Sequence, residues 1–411
     1  MKKGIALLLA LVVLFSLAAC GSDDGGNEES TGQETEGTTE GVAKEDIKVG
    51  FIFLHDENSP YDKNFMDAAT AMQEELGLTN EQVRFITNVP ESNEAQEAAE
   101  ELVDWGADLV FADSFGHEDY ILAVAEENPD VLFCHATGTK AHTSGLDNYF
   151  NAFAKIHQAR FLAGVVAGYK MNEMIENGEI TEDEAKVGYV GAMPFAEVKS
   201  GYTAFFLGVR EVCPSATMEV VFTNSWYDEA LEKEAANTLI ADGCVVISQH
   251  ADSMGAPTAC EAAGVPNVAY NGSTINTCPT TALTSSHISW QPYFTHIVEA
   301  VLNGTPIEQD FSGGLKEGTA VLGPLNEDVV AEGTAEKVEE LRAQLENEEI
   351  YVFDTAKFTV DGNTLDSYQA DVDSDPDFTP DTEVIEDGIF LESEFRSAPY
   401  FDIDIDGINI R

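Results

Sequence analysis

From about residue 47 to residue 302, short and almost wholly apolar runs alternate with longer stretches whose apolar residues recur every three or four positions. The short runs read as buried strands and the longer stretches as amphipathic helices. Ile47–Leu54 (IKVGFIFL) reads as the first strand, and Asp62–Leu76 as a helix with Phe65, Met66, Ala69, Met72 and Leu76 on one face. Val83–Thr87, Leu109–Ala112 and Val131–His135 continue the strands, with helices over Glu94–Trp105 and Tyr120–Glu127 between them. Asn148–Phe153 reads as an extended segment leading away from this series.

A second series opens with a helix over Ile156–Glu176. Its strands are Val187–Val190, Glu219–Thr223, Val245–Gln249, Asn267–Tyr270 and Thr281–Ser285, and its helices Glu197–Val212, Glu229–Asp242, Ala256–Ala263 and Tyr293–Leu302. Two such series predict an α/β protein of two doubly wound, mostly parallel lobes. Right-handed crossovers bring every strand's carboxyl end to the same edge of its sheet, where open α/β sheets bind ligands. Two facing edges make a cleft. We place hinge crossings near 153, 283 and 311, giving one lobe of residues 47–152 plus 283–310 and a second of 153–282 plus 311–350.

Residues 351–411 break the pattern, holding 16 acidic and three basic side chains around strand-like pieces at Tyr351–Phe353 and Gly388–Phe395. The run Asp371–Asp377 invites a calcium reading, but an EF-hand loop needs Gly at its sixth position and Glu at its twelfth; Pro376 and Thr382 stand there. It reads as a solvated acidic loop. Asp402–Gly407 alternates with period two and reads as a terminal edge strand.

The amino terminus sets the compartment. Lys2 and Lys3 precede an apolar run from Ile5 to Ala19, 15 residues long. That is short of the roughly 20 needed to span a bilayer and fits the core of a signal peptide. It ends Leu17-Ala18-Ala19-Cys20-Gly21, which resembles a bacterial lipobox. The resemblance implies cleavage of residues 1–19 and lipidation of Cys20, with residues 20–46, rich in Gly, Ser, Thr and Glu, as a polar tether. A formal charge of −55, from 75 acidic and 20 basic residues, argues against nucleic acid as a partner. Apart from Cys20 the cysteines are Cys134, Cys213, Cys244, Cys260 and Cys278, without a CxxC pair or metal-ligand spacing. They read as buried small hydrophobes, with a disulfide among Cys244, Cys260 and Cys278 left open.

Asn148–Gly164 (NYFNAFAKIHQARFLAG), Val187–Ala192, Thr223–Glu229 (TNSWYDE), Gln249–Ser253 (QHADS) and Ser312–Lys316 (SGGLK) together resemble the basic membrane lipoprotein (BMP) family, over about residues 47–330. The resemblance implies a type I periplasmic-binding fold, a lipid-anchored extracytoplasmic location, and capture of a purine nucleoside for an ABC importer, with its permease and ATPase as partners and no cofactor. It also implies an aromatic and an acid in the first loop, hence Tyr61 and Asp62; the Trp usual in that loop is missing.

A purine needs aromatic faces and a few fixed polar partners at its rim. Ser114 and Phe115 follow the third strand, and His135 and Thr137 close the fourth; Ser and Thr suit turn capping there equally well. Trp226 and Asp252 follow strands of the second lobe, as platform and as acceptor for ribose hydroxyls or a ring N–H. Asn271 and Trp290 are further wall candidates, and Lys316, at the last crossing, a bridge between lobes. His55, His135 and His250 come from separate units without paired spacing, so neither a metal site nor an acid–base pair is expected, and no hydrolase elbow, Walker loop or HExxH occurs. Two other readings keep the fold: a sensor presenting ligand to a receptor, and a binder of a free base or flavin. A third makes the chain an adhesin acting through its acidic tail.

Overall fold

A computed structural model describes residues 41–372 and 379–411. The signal segment, Cys20, most of the tether and residues 373–377 of the Asp371–Asp377 run lie outside the described residues. The first lobe takes β1 (Val49–Ile52), α1 (Pro60–Leu76), β2 (Val83–Ile86), α2 (Asn93–Trp105), β3 (Leu109–Ala112), α3 (Glu118–Glu127), β4 (Leu132–Ala136), a one-turn α4 (Ala141–Ser144) and β5 (Tyr149–Ala154). The second takes α5 (Ile156–Glu176), β6 (Lys186–Gly191), α6 (Ala196–Val212), β7 (Thr217–Phe222), α7 (Glu229–Ala241), β8 (Val246–Gln249), α8 (Gly255–Ala263), β9 (Asn267–Tyr270) and β10 (Ala282–Ile288). The chain then returns to the first lobe for α9 (Gln291–Asn303) and β11 (Asp310–Gly313), and crosses back for β12 (Ala320–Leu322) and α10 (Thr334–Glu346).

The first sheet has the order β11-β5-β4-β3-β1-β2, every neighbour parallel. Its central strands β1 (VGFI) and β3 (LVFA) are buried along their whole length, as expected where helices cover both faces. The second sheet runs β12-β10-β9-β8-β6-β7-β17, where β17 (Ile408–Ile410) pairs parallel with β7 and only β12 is antiparallel. Two doubly wound sheets joined by three crossings are the type I periplasmic-binding architecture that the family resemblance implies.

The first crossing falls at Lys155, between β5 and α5, near the expected 153; the other two differ in place from the expected ones. β10 remains in the second sheet through Ile288, held by Ser286 opposite Leu322 and Ile288 opposite Ala320, so the chain leaves at Ser289 rather than near 283. β11 pairs with β5 from Asp310 opposite Asn151 to Gly313 opposite Ala154, so the return falls at Gly314 rather than near 311. Polar residues run through β10 (ALTSSHI), which made it look shorter than its ladder. At the start, residues 41–46 are docked rather than part of a tether: Val42 N–H donates to the Val301 carbonyl at 3.1 Å, and Gln82 to that of Lys44 at 2.6 Å.

Helix α5 crosses the back of the second lobe against α6, and glycines set how close they come. A Cβ on Gly164 would lie 2.0 Å from the Phe205 carbonyl, and one on Gly208 1.9 Å from that of Phe161. Backbones this close leave room for no larger residue at either position. The five cysteines of the described residues are free and buried, without a disulfide among Cys244, Cys260 and Cys278.

The carboxyl-terminal residues pack on the body instead of standing apart. Tyr351–Phe353 forms no strand, and Gly388–Phe395 contributes only β16 (Ile389–Phe390), paired with β15 (Ile385–Glu386); β13 (Gln369–Ala370) pairs with β14 (Thr382–Glu383). The expected edge strand at Asp402–Gly407 is displaced to β17. Its alternation still has a cause: Ile403 and Ile405 are buried, while Asp402 and Asp404 meet Lys199 of α6 at 2.8 and 3.1 Å. Phe353 stacks on Phe401 at 4.3 Å. The segment also reaches the first lobe and the hinge, through Ser397 N–H to Asp310 Oδ1 at 3.0 Å and Lys155 to Glu394 at 2.5 Å.

Within this packing Glu392 is buried, accepting the N–H groups of Tyr400 (3.2 Å) and Phe401 (3.0 Å). Burial pushes its carboxyl up to about 7 from its usual 4.5. A carboxyl raised on folding is protonated more readily in the folded state than in the unfolded chain. Its contribution is therefore complete below about pH 4.5 and is lost as the pH rises through about 7. Glu392→Gln should flatten the fall in urea-unfolding free energy between pH 5 and pH 8 by on the order of 2–3 kcal/mol. An unchanged slope would show that the carboxyl is ionised throughout.

Candidate functional site

The carboxyl edges of the two sheets face each other across a cavity lined by Leu54, His55, Tyr61, Ser114, Phe115, Thr137, Glu197, Trp226, His250 and Asp252. The cavity holds about 380 Å³ of space between the atoms, part of it open to the outside. Phe115 and Phe195 meet across the seam with ring centres 5.3 Å apart, and His55 faces Tyr227 at 5.5 Å.

Each wall residue follows from strand topology. Ser59 caps α1, with Pro60 in its first turn, and this cap sets Tyr61 at the mouth of β1. The Tyr61 hydroxyl donates to the Asp113 carbonyl at 2.7 Å, tying α1 to the end of β3. Ser114 Oγ donates to Glu91 at 2.7 Å. Thr137 sits at φ 62, a costly conformation for a β-branched residue, and follows the end of β4. In the second lobe the loop after β7 carries Trp226, whose carbonyl accepts Asp252 N–H at 2.9 Å. Asn271, also left-handed at φ 65, donates from Nδ2 to Asp252 Oδ1 at 2.9 Å. Burial, together with the charges of Glu232, Asp62 and Glu197, pushes the Asp252 carboxyl well above the usual range.

Of the residues expected from sequence, Tyr61, Ser114, Phe115, Thr137, Trp226 and Asp252 line this cavity. Asn271 stands behind Asp252, on an adjoining part of the cleft shared with Asn58, Lys63 and Ser253. The remaining four lie elsewhere. Asp62 is buried beneath the first loop, accepting His55 N–H at 2.7 Å and the Ser59 hydroxyl at 2.5 Å, so it braces the loop that bears Tyr61. His135 is buried one layer back with Nε2 against the Ser114 carbonyl at 2.7 Å, and burial pushes its imidazole down to about 4. Trp290 is a core residue of the first lobe, stacked on Phe65 at 4.5 Å and edge-on to Phe111 at 5.7 Å. Lys316 is exposed in the turn between β11 and β12 and is absent from the cavity wall.

Sequence reasoning missed Glu197 and the cavity role of His250. The signal was available for Glu197, because the first turn after β6 obeys the same strand-end rule as the other loops. Behind them Arg160 of α5, 1% exposed, donates to the Tyr189 hydroxyl (2.8 Å), the Gln249 carbonyl (2.9 Å) and His250 Nδ1 (3.0 Å). The cavity thus combines aromatic faces with two carboxylates. Among the described residues no lysine or arginine lines it.

Comparison with known proteins agrees with this geometry. The profile of the Bmp family, described as ABC transporter substrate-binding protein PnrA-like, matches residues 53–355. A purine-binding protein of Brucella abortus is 32% identical over 316 residues, 76% of this chain and 84% of that protein. A putative ABC transporter glucose-binding protein of Haloferax volcanii is 29% identical over 348 residues, 80% of this chain and 84% of its own. Among solved structures, an ABC transporter solute-binding protein from Conexibacter woesei superposes with a TM-score of 0.60 at 23% identity, over 74% of this chain and 98% of that one.

The two tryptophans at issue have opposite roles, and stability separates them. Trp290→Ala should cost about 3–5 kcal/mol in urea unfolding, the usual price of emptying a large core site. Trp226→Ala, at a half-buried loop position, should cost well under half of that. Equal losses would place Trp226 in the core.

Proposed function

The chain belongs to the PnrA-like (Bmp) family and is a substrate-binding protein of an ABC transporter, and from that premise we propose that its ligand is a purine nucleoside or related planar heterocycle. The observation that carries this reading is the cavity itself, in which Tyr61, Phe115 and Trp226 offer aromatic faces beside Glu197 and Asp252. A flat ring with donors at its rim matches that set, whereas an anion would meet two acids and no facing cation.

Binding proceeds by hinge closure. A ligand touching walls from both lobes stabilises the closed form over the open one and so shifts the equilibrium between them. The closed form docks on a membrane permease driven by a cytoplasmic ATPase. Cys20, after removal of residues 1–19, carries the lipid that holds the protein at the outer face of the membrane. The name of the Haloferax relative favours a second reading, a sugar ligand, whose hydroxyls the same carboxylates would accept.

Mass spectrometry of small molecules released from the purified protein, followed by calorimetry with nucleosides and with glucose, decides between these. Nucleosides should give heat and glucose none; the reverse would keep the fold and end the purine reading. Trp226→Ala and Asp252→Asn should each weaken nucleoside binding about ten-fold or more, the cost of a lost stacking face or buried polar partner. Lys316→Ala should leave it unchanged. Unaltered affinity in both cavity variants would put the pocket elsewhere.

A further inference from the structure

One of the two cavity carboxylates is held through a buried chain. Arg160 makes no ion pair with a carboxylate among the described residues, although its guanidinium is sealed inside the second lobe and covers the Tyr270 ring at 3.4 Å. A buried charge without compensation is costly. Arginine can only donate, so Nδ1 of His250, 3.0 Å away, is the acceptor and the ring proton resides on Nε2. That Nε2 faces Glu197 Oε1 at 3.3 Å. Burial and the adjacent arginine hold His250 below its usual range, so the ring is neutral at pH 7. The carboxylate next along this chain is that of Glu197, on the cavity wall and 13% exposed.

An ionised carboxylate accepts at about four lone-pair positions and donates at none. Glu197 can keep His250 and still receive two parallel N–H groups, the arrangement that makes paired hydrogen bonds strong. Asp252 differs: Asn271 occupies one of its oxygens, and burial, with the acids around it, favours the protonated form, which also donates.

We propose that Glu197, oriented by the Arg160–His250 chain, is the specificity-determining acceptor of the cavity, selecting flat heterocycles that present two adjacent N–H donors, as the guanine edge does. The proposal rests on the purine reading above and deepens it. Adenine places an acceptor nitrogen beside its amine and sets it against a carboxylate oxygen; hypoxanthine offers one donor. Arg160 is a positioning residue, acting through His250.

Calorimetry with guanosine, inosine and adenosine tests this on the intact protein. Guanosine should bind at least about ten-fold more tightly than adenosine, with inosine between them. Glu197→Gln, which turns one acceptor into a donor at equal size, should weaken guanosine by about ten-fold or more and erase its advantage. Arg160→Met should weaken guanosine more than adenosine, because Glu197 loses the buried chain that orients it, whereas a merely structural loss would weaken both alike. If Arg160→Met does not fold, the Glu197→Gln ratio decides alone. Adenosine binding as tightly as guanosine, or a guanosine advantage surviving in Glu197→Gln, overturns the proposal. No heat from any of the three nucleosides, with heat from glucose, overturns the purine reading and the proposal with it.

Discussion

A right-handed crossover between parallel strands leaves one edge of each sheet where all the carboxyl ends emerge, and the candidate site is built on two such edges facing each other. Leu54, His55, Ser114, Phe115 and Thr137 reach the cavity because β1, β3 and β4 end there. Trp226, His250 and Asp252 reach it because β7 and β8 end on the opposite side, and Glu197 because α6 begins where β6 stops. Neither lobe encloses the space alone. The three crossings, at Lys155, Ser289 and Gly314, are the covalent reason the two edges stay opposed.

Electrostatics give this cavity its character more than shape does. Two acids share this cavity, where like charges are costly, and they are managed differently. Asp252 leans toward its protonated form and is steadied by Asn271. Glu197 is coupled through His250 to an arginine that makes no ion pair of its own among the described residues. That arginine lies on α5, the helix drawn against α6 by contacts at Gly164 and Gly208. Tight packing at the back of the lobe and charge at its front are therefore parts of one arrangement.

The carboxyl-terminal segment lies mostly beyond the family match, which ends at residue 355. It extends the second sheet with β17, buries Phe353, Phe390 and Phe401 together, and touches the first lobe at Asp310. Arg396, Ala398 and Pro399 border the outer part of the cleft beside Phe115 and Phe195. This acidic segment is thus structural: Asp402 and Asp404 pair with Lys199, Ile403 and Ile405 are covered beside them, and Glu392 is buried.

Much of the architecture was legible in the chain, because strand and helix periodicity in a parallel α/β protein comes from burial on fixed faces, and burial is written as apolar spacing. Ser59 and Pro60 announced the start of α1, and the strand-end rule found Ser114, Phe115, Thr137, Trp226 and Asp252. Composition does not tell an aromatic that lines a cleft from one that fills a core: Trp226 and Trp290 both stand near strand ends, and only the packing of Phe65 and Phe111 around Trp290 separates them. Asp62 and His135 were placed one layer too far forward, since Asp62 lies within α1 and His135 within β4, where successive side chains point different ways. The Arg160–His250–Glu197 chain joins residues 37 to 90 positions apart. By itself the sequence determined the two-lobe fold and the edges where a ligand site belongs, through local periodicity and chain handedness. Only the tertiary structure decided which side chains meet there and which charge each one carries, because burial and pairing depend on contacts between segments remote in the chain.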